Sequence, residues 1–535
     1  MRAVTASLMA CAALSVSSAA HAFAGPDGVA VLANADVPES VALAKKYMAA
    51  RNIPARQLCS LSMPVKDDIT LAEYQTKVDG PFEACLKAAG VDARIEAVLV
   101  VRGVPLRVGV PVGNATQNVA LTAALSVWRS ADGTGAILGQ ASGNTVDCGG
   151  SPCLAAKWSN PYRTVTGPIT GGMTITAGGV TWKPLLVTML HGRTYADAEL
   201  LLTSAMDAEK AGGATGPFVF MDGADTARGV LDTEYPTVIN QLKTAGFTDA
   251  QEVPFDTAWK GPPKMAAFFT GTASLGTTIE GNTFAPGALV DNLTSFGAVP
   301  VNFAASGESQ VSIARWVKMG VAGVHGTVDE PLNNCFPSRK LIVDYATGAP
   351  LAEAYFRRLP YAYWRNLVLG DPMLAPYAKR PTVTITGLTG TSVATAQKVT
   401  ATAVDKAGTG IESVKLYANG VLVAESPGDT VSACVPIKPG TIELLAVAQN
   451  KAGTGALARF PPKGWTTTTF DATADVPGCP DAQPQDDGGV NPVTPTGSDS
   501  GCSCHQGQGD APPSGGILAL VGAAIFLARR AKRRD

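Results

Sequence analysis

Histidine is scarce in this chain of 535 residues: of four in all, only His191, His325 and His505 lie beyond residue 22, and none stands at metal-ligand spacing from another. That leaves a zinc centre without a ligand set. No Gly-x-Gly-x-x-Gly or Walker pattern follows a strand-like run, which argues against a nucleotide cofactor, and no cofactor of another kind is expected. A Gly-x-Ser-x-Gly elbow is missing from every strand-to-helix junction that can be placed, so a hydrolase built on that turn is not expected. An excess of one charge is also lacking, with 42 basic against 44 acidic residues and a net charge of −2. Basic residues cluster only at the extreme end of the chain, so a nucleic-acid partner has no electrostatic footprint to meet.

What is there begins with the ends. Arg2, an apolar stretch over 8–16 and the small residues of Ala20-His21-Ala22 make a three-part secretory signal over 1–22, with cleavage expected after Ala22. At the other end, the apolar run 515–528 is followed by Arg529, Arg530, Lys532, Arg533 and Arg534, a cluster expected to stay on the cytoplasmic side. A comfortable crossing needs roughly 20 apolar residues. The 515–535 segment therefore reads as a transient membrane anchor, preceded by Cys502-Ser503-Cys504. In that order of parts the tail resembles the sorting segment of myxobacterial surface proteins. The resemblance implies processing near Cys502 or Cys504 by a sorting enzyme, after signal peptidase has acted at the front, and retention at the cell envelope. A plain tail anchor stays open as the other reading, and both place the bulk of the protein outside the cytoplasm.

Export permits disulfides. The expected pairs are Cys59 with Cys85, Cys148 with Cys153 and Cys434 with Cys479, which leaves Cys335 as an odd thiol.

Between the ends, 23–378 alternates short apolar runs with amphipathic stretches and predicts an α/β domain on a large, mainly parallel sheet. Strands are predicted at 95–101, 185–190, 218–221 and 265–269, helices at 196–210, 235–245 and 311–319, and an apolar run at 321–324. Residues 133–179, rich in Gly, Ser and Thr, read as loops with a hairpin insertion. From 379 to 475 the pattern turns to β-segments, with Asn419-Gly420 as a type I′ hairpin turn. The strings Asp405-Lys406-Ala407-Gly408 and Asn450-Lys451-Ala452-Gly453 close two strands expected to lie side by side in a sandwich. This segment resembles bacterial immunoglobulin-like domains, which implies a spacer or adhesion module. Residues 476–514 are too poor in apolar residues to fold and read as a flexible stalk.

A set of motifs runs through the large domain: Asn34, Ser40, Tyr47, Arg51-Asn52-Ile53-Pro54, Arg102-Gly103-Val104-Pro105-Leu106-Arg107, Gly326-Thr327-Val328-Asp329-Glu330-Pro331 and Leu369-Gly370-Asp371-Pro372. Together they resemble an uncharacterised family of exported bacterial proteins associated with exosortase-type surface sorting, over roughly 29–377, which brings no established activity. A fainter likeness runs to the gingipain-like cysteine peptidases of caspase-type fold. It implies a catalytic His in the turn after the 265–269 strand and a Cys after a later one. Thr272 holds the first position and 288–296 contains no Cys, so the peptidase dyad is missing on that alignment.

Two other constellations could replace it. His325, at the end of an apolar run, could project into a crevice and serve as base to Cys335 ten residues on, although a loop histidine and a buried or bonded cysteine is the favoured reading. Asp222, Asp225, Asp329 and Glu330 all follow predicted strands and could gather at one sheet edge to hold a divalent cation such as calcium, or simply cap the helices that come next, the reading favoured for Asp225. On balance the sequence predicts a displayed binding or structural module without turnover. An envelope hydrolase and a calcium-dependent adhesin are the alternatives, and the surface ligand is open.

Overall fold

The computed structural model describes residues 25–479 except 113–114, 128–145, 148–151, 154–159, 170–174, 178–179, 183–184, 276–280, 305 and 362. The expected secretory signal, most of the 133–179 segment, Cys148 of the expected Cys148–Cys153 pair, and the stretches beyond 479 expected to form a stalk and an anchor lie outside the described residues.

Ten strands form one sheet: β1 Val29–Asn34, β2 Leu58–Leu61, β3 Ala97–Val101, β4 Leu186–Leu190, β5 Phe218–Gly223, β6 Ala250–Val253, β7 Met265–Gly271, β8 Phe284–Asn292, β9 Gly323–Thr327 and β10 Asn366–Gly370. Their order is β6-β5-β7-β8-β9-β10-β4-β3-β1-β2. β1, β3, β4, β7, β9 and β10 are buried along their whole length, as a sheet covered on both faces requires. The large, mainly parallel sheet is therefore as the alternation predicts.

Its topology is more specific than the sequence showed. β1, β2, β3, β4 and β10 are mutually parallel in the order β2-β1-β3-β4-β10. β5 to β9 are mutually parallel in the order β6-β5-β7-β8-β9. Counted from its own first strand, each half reads 2-1-3-4-5, a common doubly wound order. The halves join where β9 and β10 run antiparallel, with Gly323 opposite Gly370 and Thr327 opposite Asn366. The second half is thus inserted between the fourth and fifth strands of the first. The halves share a pattern rather than residues, as VAVLAN in β1 against FVFMDG in β5 shows.

The helices follow from capping and periodicity. The helix Tyr195–Ala211 starts with a capping box between Thr194 and Asp197 and stops at Gly212, whose φ of 78° is the left-handed cap glycine adopts at little cost. It buries Ala198, Leu201, Leu202, Ala205 and Ala208, one helical face displaced slightly from the predicted one. Cys59–Cys85 and Cys434–Cys479 are bonded, and Cys335 is a free, buried thiol, as expected.

After β10 come two packed sheets. Thr382–Thr386, Gln397–Val404 and Thr430–Val435 form one, and the other is built mainly from Ile411–Ala418, Val421–Pro427, Gly440–Asn450 and Lys463–Ala472. Val399, Ala401, Leu416, Leu444 and Phe470 fill the space between them. Asn419 and Gly420 have φ of 48° and 71°, the positive values the predicted hairpin turn demands. The two loops expected to be neighbours are joined by the Asn450 amide on the Asp405 carboxylate and by Lys451 N–H on Gly410 O at 2.9 Å.

The described residues make one compact unit. Lys463 of the second sheet reaches Glu96 at 3.5 Å with both side chains buried, and the Tyr417 hydroxyl donates to Asp27 at 2.8 Å. Phe460 is buried against the α/β core, with the guanidinium groups of Arg357 and Arg459 both over its ring. The sandwich is therefore bolted to the α/β part through buried charges.

Candidate functional site

The residues with the most chemistry meet at the join of the two half-sheets. His325 is the third residue of β9, and Asp291 on β8 lies directly opposite it in register. Adjacent strands project facing residues to the same side, so the imidazole Nδ1 sits 3.0 Å from Asp291 Oδ2. On the other flank Asn366, first residue of β10, places its Oδ1 2.9 Å from Nε2. The same oxygen lies 3.6 Å from the Cys335 sulfur. Asp291 also receives Nη1 of Arg339, whose Nη2 donates to Thr270 O at 3.1 Å and whose guanidinium lies over the Phe269 ring. Asp291, His325 and Arg339 are fully buried.

Electrostatics here follow from burial. Desolvation alone would raise the Asp291 carboxyl, but Arg339 and His325 overcome it and hold it below its ordinary value. The Cys335 thiol has no such help: burial pushes it far up, and Arg365 offsets only part of that. A nucleophilic cysteine needs the opposite shift and an imidazole within reach. Here Asn366 occupies Nε2, the nitrogen that would take the thiol proton. His325 is an interior strand residue with Phe336 packed edge-on against its ring at 5.3 Å, and it projects into no crevice.

The carboxylates also part company. β5 and β9 both end at one edge, but β7 and β8 stand between them. Asp225 caps a turn, accepting from Arg228 N–H at 2.9 Å and pairing with its guanidinium, instead of capping the following helix. Asp222 lies beside Glu252, whose carboxyl is raised by partial burial and by that neighbour. Asp329 accepts from the Asn118 amide at 3.1 Å and sits 3.8 Å from Arg365, while Glu330 accepts from the Ser295 hydroxyl at 2.7 Å. Among the described residues no group of three or more His, Cys, Asp or Glu could hold a metal ion.

Thr272, in the turn after β7, donates its N–H to Asn292 Oδ1 at 2.8 Å, and the Asn292 amide returns a bond to Thr272 O at 3.0 Å. Where the peptidase likeness implies a dyad, the Asn292 amide instead fastens the end of β8 to the turn after β7.

A second buried network was missed by sequence reasoning, although Tyr47, Arg51 and Asp371 belong to the motifs. The Asp371 carboxylate, one residue past β10, accepts from the Tyr47 hydroxyl at 2.7 Å and pairs with Arg51. Arg51 pairs in turn with Glu209, which also meets Arg380 at 3.2 Å. Burial opposes Glu209 ionisation, yet Arg51 and Arg380 bring its carboxyl down to about 2. Nearby, the Asn34 amide donates to Gly103 O at 2.8 Å. Gly103 must be glycine: its φ is +101°, and a Cβ there would stand 2.8 Å from that of Ser40.

No family model and no curated protein matches the chain. Among solved structures, it is similar to fibronectin(III)-like modules of Clostridium thermocellum CbhA, at 18% identity over 17% of this chain and 98% of that one, TM-score 0.13. It is also similar to the Clostridium perfringens spore cortex lytic enzyme SleM, at 10% identity over 54% of this chain and 79% of that one, TM-score 0.13. Likenesses of that size carry no argument about activity.

Proposed function

We propose that this chain is an exported protein whose 25–479 region is a rigid, non-catalytic head displayed at the cell envelope. In this reading signal peptidase cleaves after Ala22, a sorting enzyme acts near Cys502 or Cys504, and 515–535 tethers the chain to a membrane. The motif set allies the chain with the exosortase-associated family, and the sandwich is of immunoglobulin type. The observation that carries the non-catalytic reading is the state of its best catalytic candidates. His325 and Cys335 are completely buried, their approach is blocked by Asn366, and the thiol is held in its protonated form.

A carboxylate-oriented imidazole is the one feature favouring the alternative of a cysteine-dependent hydrolase with a caspase-like second half. That enzyme would require Asn366 and Phe336 to move away. The calcium-dependent alternative gains no such support, since Asp225, Asp329 and Glu330 already have partners. The test is a peptidase and esterase panel on the purified full chain beside His325→Gln. The head reading expects equal, background rates from both proteins; turnover that disappears in the variant overturns it.

A further inference from the structure

Away from the buried networks, a small three-stranded sheet of Asp68–Thr70, Arg107–Val112 and Ala115–Ala120 carries an open depression of about 580 Å³. That is within the size range of small-ligand sites, roughly 300–1,000 Å³. We propose that it binds a neutral saccharide.

The sheet's period of two decides what faces the groove. Val108 and Val110 turn into the core, while Arg107, Gly109 and Pro111 line the opposite face. Register sets Thr70 and Asn118 on either side of Gly109, Asp68 beside Arg107, and Thr116 beside Pro111. Gly109 makes the floor low, since a Cβ there would lie 3.0 Å from the Thr116 methyl. Leu71, Ala72 and Gln75 supply the wall.

The lining's charge is balanced. Arg107 is paired through Nε with Asp68, and its Nη1 donates to Val328 O at 3.0 Å. A free anion would compete with Asp68, and a free cation with Arg107. What remains is the Gln75 amide and the Thr116 hydroxyl, which both donate and accept, and the Asn118 amide oxygen, whose Nδ2 is on Asp329, beside a small apolar strip of Leu71, Ala72 and Pro111. A sugar ring matches this division, offering hydroxyls at its rim and C–H groups on its face. The Arg107–Asp68 pair presents one donor and one acceptor to neighbouring hydroxyls. The floor is held in place, because Arg107 and Asn118 are tied to Val328 and Asp329 just past β9. Such preorganisation lowers the ordering cost of binding.

The assignment rests on the display reading and gives it a ligand class. Its test is separate, since saccharide binding and hydrolase turnover are measured independently. Full-length protein is titrated calorimetrically with neutral trisaccharides of glucose, mannose and N-acetylglucosamine, and with sialyllactose as the charged comparison. Thr116 and Ala72 are exposed and take no part in the core, so Thr116→Trp and Ala72→Trp fill the groove without disturbing the fold, as an unchanged melting temperature would verify. Saturable binding of a neutral trisaccharide, weakened at least about tenfold by either variant, supports the site. Absence of saturable binding up to millimolar sugar overturns it, as does preference for sialyllactose or binding that both variants leave intact.

Discussion

The two half-sheets share a strand order and each buries an aspartate–arginine pair, yet the surroundings of those pairs differ. In the first half Asp371 has Arg51 and Tyr47, and Arg51 keeps Glu209 as a second carboxylate. In the second half, among the described residues, Asp291 is the one carboxylate in ion-pair contact with the Arg339 guanidinium, and its other partner is a histidine. One pair belongs to a redundant chain of charges running to Arg380, which also donates to Lys463 O of the sandwich at 2.9 Å. The other fastens strands β8, β9 and β10 to each other. Similar chemistry thus secures the half-sheet to the sandwich in one place and closes the seam between halves in the other.

The comparison breaks most easily at the seam. Asp291→Ala strands the Arg339 guanidinium in the core with a backbone carbonyl as its remaining hydrogen-bond partner, and should cost about 3–5 kcal/mol in urea unfolding. Asp371→Ala should cost less, about 2–3 kcal/mol, because Glu209 remains on Arg51. Equal losses would show that the second carboxylate gives no redundancy.

Acid sharpens the contrast. Both Asp291 and Glu209 are held below their ordinary values in the folded state, so each contributes stability that is present above the unfolded pKa and fades as pH falls through the folded one. For Glu209 that window runs from roughly pH 4.5 to 2. Glu209→Gln should therefore flatten the loss of stability across it, by one to a few kcal/mol in all, read as the urea midpoint against pH. An unchanged slope would remove Glu209 from the first network. The smallest effect is expected at the thiol. Cys335→Ala deletes one weak contact to Asn366 and a small buried group, for about 1–2 kcal/mol by the same measurement.

Much of the scaffold was legible because it is local. Strand–helix alternation, the helix predicted at 196–210, the Asn419-Gly420 turn and the two bonded cysteine pairs all lie close along the chain. The Asp405 and Asn450 loops could be matched because each closes a strand of the same short module. The seam could not be read. His325 takes its partners 34 and 41 residues away, on strands whose order in the sheet no periodicity encodes. Asn366 in particular looks like any loop-edge asparagine until β10 is seen to run antiparallel to β9. Expecting His325 at a strand end treated it as the last residue of its run, whereas β9 continues to Thr327 and leaves the ring inside. The gathering of four acids failed for a related reason, since sharing a sheet edge does not make strands neighbours.

The central claim is that Arg339, Asp291, His325, Asn366 and Cys335 form a closed structural seam. Alkylation of the native full-length protein with iodoacetamide, followed residue by residue with mass spectrometry, tests it most directly. The account predicts that Cys335 is modified no faster than the protein globally unfolds, and completely in denaturant. Rapid native labelling that slows in His325→Gln would mean an open, activated thiol, and would contradict it.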